Sequence, residues 1–122
     1  MITVWNASDK VMTIKIVAFS DQHGKLGFEL PPADLYLCAG DICPNWYPGH
    51  PVESDLQASW IKGKWLNWVD GKKLYATLGN HDFLSRYEIP KCVKVDVKVD
   101  IAGLSIWFSP GSNTFRNWAG MA

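Results

Sequence analysis

Residues 73–82 read KLYATLGNHD. A short, largely apolar run stops at Gly79 and is followed at once by an amide, an imidazole and a carboxylate: Asn80, His81 and Asp82. The run is too short for a helix and is bounded by a turn signal. It therefore predicts a buried strand whose carboxyl end carries metal-competent groups.

Two earlier segments share this design. Residues 13–19, TIKIVAF, are β-branched and apolar and lead into Ser20-Asp21-Gln22-His23-Gly24. Residues 34–39, DLYLCA, lead into Gly40-Asp41. Between the second and third runs the spacing predicts a helix. Ser54 can cap it, with Gln57 completing a capping box. Ile61, Trp65 and Trp68 fall on one face. Gly63 weakens it by about 1 kcal/mol relative to alanine, and Gly71 is placed to end it in the left-handed conformation.

Beyond the third run, residues 93–101 alternate as VKVDVKVDI and predict one half-exposed strand. Ala102-Gly103 then turns into residues 104–108, a further strand and hairpin partner. The order strand, strand, helix, strand, antiparallel pair predicts an α/β fold with parallel core strands and a C-terminal antiparallel pair. Residues 1–12 read as a dispensable tail, with Met12 a possible natural start, and residues 13–122 as the domain.

Composition narrows the function. Of the 122 residues 48% are apolar and seven are tryptophan, a globular profile with aromatics to spare for a core. Formal net charge is zero, and no basic stripe runs along the chain. Long nucleic acid is therefore a poorer partner than a small phosphate ester that a metal could hold locally. No apolar run approaches the ~20 residues of a membrane span, and residues 1–15 lack a signal-peptide pattern. Three cysteines, Cys38, Cys43 and Cys92, fit no zinc spacing and read as free thiols of a cytoplasmic protein. The Asn6-Ala7-Ser8 sequon carries no weight without secretion.

Ligands in open α/β sheets gather at the carboxyl ends of strands. Three neighbouring strand ends would assemble Asp21, His23, Asp41, Asn80 and His81. Carboxylate and amide oxygens suit hard divalent ions, and imidazole adds affinity for manganese, iron or zinc. Each motif alone is weak, but the three in order, each at a strand end, are hard to reconcile with coincidence.

On these motifs the chain resembles the calcineurin-like metallophosphoesterases. That superfamily carries Asp-x-His, Gly-Asp and Gly-Asn-His-Asp/Glu blocks, followed by a separate histidine and a Gly-His-x-His block. The resemblance spans residues 13 to about 110 and implies part of a two-sheet sandwich. It further implies that Asp21 and His23 bind a first metal, that Asp41 bridges two metals and that Asn80 binds the second. His81 would assist the leaving group and Asp82 would orient it. The implied cofactor is a divalent ion: manganese first, with iron, zinc or magnesium as substitutes. The implied reaction is hydrolysis of a phosphomonoester or phosphodiester.

The chain departs from the pattern after His81, because no histidine follows. A second metal held by Asp41 and Asn80 alone would bind weakly, so one well-held ion and impaired hydrolysis are expected. The alternative is a non-catalytic remnant or half-enzyme, a C-terminally truncated domain that self-associates or pairs with a complementary half. Trp46, Tyr47 and His50 follow Asp41 and read either as a substrate wall or as loop packing. Trp60, Trp65 and Trp68 read as helix core, Cys38 as a strand-core residue and Cys43 as an ordinary loop thiol. Phe115 and Trp118 read as core residues, and Arg116 as a solvated charge.

Overall fold

The computed structural model describes residues 1–6, 13–85 and 87–110. The fold is mixed α/β, with a parallel and an antiparallel three-stranded sheet and a helical rod. The parallel sheet comprises β2 (Ile16–Phe19), β3 (Leu35–Cys38) and β4 (Leu74–Ala76), in the order β2-β3-β4. These are the three runs whose ends carry the candidate ligands.

The strands' period of two divides their side chains between two cores. Leu35 and Leu37 of β3 join Tyr75 on one face, while Tyr36 and Cys38 join Leu74 and Ala76 on the other. The first face packs on the antiparallel sheet, through Ile101, Leu104, Ile106 and Phe108. The second packs on the helical rod, through Ala58, Ile61, Trp65 and Val69. The result is three layers: antiparallel sheet, parallel sheet, helix. Among the described residues no helix is long and apolar enough to cross a membrane.

The antiparallel sheet corrects the expected tail. Ile2–Asn6 form β1, which pairs along its length with β6 (Leu104–Phe108), and β5 (Val97–Ile101) flanks β6 on the other side. Ile2 packs against the inter-sheet core. Ile2, Thr3, Val4 and Trp5 are strand-favouring types, and pairing with β6 makes them a strand. Residues 7–12, the rest of the expected tail, lie outside the described residues, as do Phe115, Arg116 and Trp118.

Residues 93–101 do not form one strand either. Val93 makes a parallel bridge to Ala76, Asp96 takes a φ of +51°, and only then does β5 begin. The alternating segment serves both sheets in turn, and the left-handed residue provides the step between them. The hairpin turn is as expected: Ala102 and Gly103 have φ of +52° and +78°, the sign pattern of a type I′ turn.

The rod begins as α1 (Val52–Trp60), continues through a π-helical turn at Ile61–Trp65 and ends as α2 (Leu66–Val69). The wide turn contains Gly63, the position expected to weaken the helix. Ile61 and Trp65 are fully buried and Trp68 is partly buried, as their spacing predicts. Gly71 has a φ of +77° just after the rod. The capping box is absent. Pro51 occupies the N-cap, the Ser54 hydroxyl donates to Glu88, and Gln57 is fully buried.

Phe108 lies at the centre of the inter-sheet core with no exposed surface. Phe108→Ala is expected to destabilise the fold by about 3–5 kcal/mol, read as a lower denaturation midpoint in urea.

Candidate metal centre

The loops after β2, β3 and β4 meet at the carboxyl end of the parallel sheet. Backbone hydrogen bonds zip the first two together: Asp21 N–H donates to Gly40 O (3.0 Å), His23 N–H to Asp41 O (3.0 Å) and Gly24 N–H to Ile42 O (2.8 Å). Gly40 and Gly79 bring the second and third loops into contact. A Cβ on Gly40 would stand 2.5 Å from Gly79 N, and one on Gly79 would stand 2.5 Å from Asp41 N. Neither position has room for a side chain.

This close approach delivers the ligands. Asp21, His23 and Asp41 each offer a ligand atom, all within 4.8 Å of one another. The same three residues have φ of +61°, +48° and +55°. Only five non-glycine residues among those described are left-handed, and three of them are this cluster. Asp and His tolerate that region better than most residues, yet holding three in it requires the surrounding bonds to over-determine the loops.

The donor set is open to solvent on one side. Asp21 is exposed and His23 40% exposed, with His23 Nε2 3.7 Å from Asp21 Oδ1. The Ser20 hydroxyl donates to Asp21 Oδ2 and is the main cause holding that carboxyl below its ordinary range. Burial opposes this effect, while Asp41 and His23 reinforce it. Asp21 is thus an ionised ligand at neutral pH. Two carboxylates and an imidazole are a donor set suited to a metal ion.

His81 stands beside this cluster, its ring centroid 4.9 Å from that of His23, edge to face. Its backbone N–H donates to Asp41 Oδ1 (2.9 Å), and its Nδ1 lies 2.7 Å from Asn45 Oδ1. Asn45 Nδ2 faces two acceptors, His81 O at 2.7 Å and Glu53 Oε1 at 3.4 Å, which fixes the amide's orientation. Asn45 Oδ1 therefore accepts from Nδ1–H, and the neutral ring carries its lone pair on Nε2. Asn80 lies in the same turn, clamped between Gly79 and His81, whose N–H groups are held by Asp82 and Asp41.

Asp82 acts on the backbone. Its buried carboxylate accepts from the N–H groups of Ile42, Cys43 and Gly79 at 2.9–3.2 Å. Burial pushes its pKa up, and the three amides pull it down. The ring of His81 takes its orientation from Asn45, which sequence reasoning did not single out. Glu53 and Gln57 were missed as well. They sit four apart on α1, both fully buried. Glu53 accepts from Trp46 N–H and Tyr47 N–H (2.9 and 2.7 Å). Gln57 donates to Pro44 O and His81 O and accepts from Phe83 N–H. An i, i+4 polar pair facing the core was the available signal, and the local capping pattern concealed it.

The remaining candidates divide. Trp46 and Tyr47 are 45% and 61% exposed, with their backbone pinned by Glu53. His50 Nδ1 accepts from Val52 N–H at the start of α1, and the residue stands outside the ligand cluster. Cys38 and Cys43 are fully buried. Burial pushes the Cys38 thiol up to about 12, and burial with the Asp82 charge pushes the Cys43 thiol up, so neither is a nucleophile at neutral pH.

Asp82→Ala leaves three buried N–H groups without an acceptor. It is expected to cost about 3 kcal/mol or more in stability, with manganese affinity lost in parallel, checked by urea denaturation and calorimetric titration of the metal. Asn45→Ala should leave manganese affinity near native while shifting the His81 ring resonances in NMR, because it removes the Nδ1 partner of the ring and none of the candidate ligands. Compared with protein-family models and with curated proteins, the chain matches none.

Proposed function

We propose that the chain hydrolyses a small phosphomonoester or phosphodiester with the help of a divalent ion held by Asp21, His23 and Asp41. The observation that carries this reading is the convergence of those three ligands, in a strained backbone, beside a histidine with a defined tautomer. The resemblance to the calcineurin-like metallophosphoesterases supports it, and so does the layering of a parallel sheet on an antiparallel one.

Bound there, the ion would supply Lewis acidity and an activated water at neutral pH. The chain's own residues then have separate tasks. Asp21 and Asp41 provide negative charge and His23 a neutral nitrogen. His81, locked through Nδ1 by Asn45, presents Nε2 as the proton-exchanging atom for a leaving oxygen. Trp46 and Tyr47 stand on the loop between Asp41 and α1 and suit an aromatic substrate wall. His50 has the weaker claim, because its Nδ1 serves the helix start. The three free thiols support a reducing, cytoplasmic setting.

One ion per chain is expected, since a second would rest on the shared Asp41 carboxylate and the Asn80 amide. The rival reading, a non-catalytic binding domain or half-enzyme, draws on the histidine count: only His23, His50 and His81 are present.

Turnover of a chromogenic phosphodiester across a manganese titration separates the two. Activity should saturate near one ion per chain, vanish in Asp41→Asn, and fall in kcat by roughly 10²–10⁴ in His81→Ala. Turnover no higher than that of Asp41→Asn, in a folded sample, would eliminate the hydrolase reading. A two-ion stoichiometry would overturn the single-ion assignment.

A further inference from the structure

Two cavities lie away from the metal centre, around the amino end of β4, and they share Lys72. The first, about 330 Å³, is lined by Lys72, Lys73, Lys91 and Lys94 together with Leu74, Tyr75 and Cys92. No carboxylate lines it, and among the described residues none of the four lysines is in an ion pair. In a chain of zero net charge, a third of the twelve cationic residues converge here from two separate segments. Lysines grouped without a carboxylate among them favour an anionic ligand.

The second cavity, about 320 Å³, is lined by Phe28, Glu29, Leu30, Trp68 and Lys72. Its aromatic wall is ordered. Phe28 is 41% exposed yet held edge-on by Trp68 (5.3 Å between centroids) and Phe19 (6.5 Å). Lys72 marks the junction. Its Nζ donates to Trp68 O at 3.2 Å and lies 5.9 Å from the Trp68 ring centroid. Each cavity is at the lower end of small-ligand volumes, one walled by two aromatic rings, the other ringed by lysines whose aliphatic stems form much of its wall.

We propose that the paired cavities bind a nucleoside polyphosphate, with the phosphates among the four lysines and the base against Phe28 and Trp68. A phosphate chain matches clustered ammonium donors, and a flat heterocycle matches an exposed aromatic face. Glu29 offers acceptor oxygens to a ribose hydroxyl or an exocyclic amine, donors that a nucleoside has and a bare polyphosphate lacks. The site is separate from Asp41 and does not depend on the hydrolase reading.

Calorimetric titration of the full chain in chelator, at low ionic strength, tests this with adenosine triphosphate, inorganic tripolyphosphate and adenosine as probes. The triphosphate nucleotide should bind saturably and more tightly than tripolyphosphate, with adenosine weakest, and added salt should weaken both anions. Lys91→Gln/Lys94→Gln should weaken both anions by roughly tenfold or more. Phe28→Ala should reduce the nucleotide to the level of tripolyphosphate without changing the latter. Asp41→Asn should change neither. Equal affinity for nucleotide and tripolyphosphate in the native chain would overturn the base assignment. Native affinity in the lysine variant, or no saturable binding, would overturn the site itself.

Discussion

The buried carboxylate of Asp82 is the constraint on which the site depends. It gathers the N–H groups of Gly79, Ile42 and Cys43, and so joins the turn after β4 to the loop after β3. A charge in that position costs desolvation, and three amide donors offset it at about 1.5–3 kcal/mol per bond. The contact is possible because Gly40 and Gly79 have no side chains to keep the loops apart. With the loops joined, Asp41 Oδ1 meets His81 N–H, and the loop after β2 completes the cluster through its own backbone bonds.

A second set of buried polar groups supports the first from the helix layer. Glu53 and Gln57 use one face of α1 to satisfy the backbone of residues 44–47 and 81–83. These loops have no strand or helix of their own, so buried side chains supply the partners that regular structure would otherwise provide. Hydrogen bonding of this density lets Trp46 and Tyr47 stand exposed on a fixed backbone. It also sets the ring of His81 through Asn45, an arrangement that fixes an imidazole beside the candidate ligands.

Much of the fold was legible because its signals are local. The runs ending at Asp21, Asp41 and Asn80 become parallel strands, since short apolar segments bounded by turn residues satisfy their backbone by pairing with one another. Ile61, Trp65 and Trp68 mark the helix face by spacing alone. Local reading failed where a residue's role depends on distant partners. Ser54 and Gln57 have the form of a capping box, but Gln57 is taken by loops on both sides of it in the chain. Ile2–Asn6 are rich in strand-favouring residues, but it is the edge of β6, about a hundred positions away, that gives them a partner. Residues 93–101 alternate without interruption, yet two sheets share them.

The sequence by itself determined the residue types at each strand end, and with them the donor chemistry of the candidate metal centre, because donor chemistry is a property of the side chain. It also set the layered α/β class through hydrophobic periodicity. Only the tertiary structure decided that Asp21, His23 and Asp41 come within 4.8 Å of one another, that Asn45 orients His81, and that Asp82 serves the backbone. Only the tertiary structure brought Lys72 and Lys73 together with Lys91 and Lys94, in a chain with no basic stripe. The physical reason is common to all four. Through-space distances between residues tens of positions apart are set by which loops can approach, and that depends on packing and buried hydrogen bonds, not on neighbours in sequence.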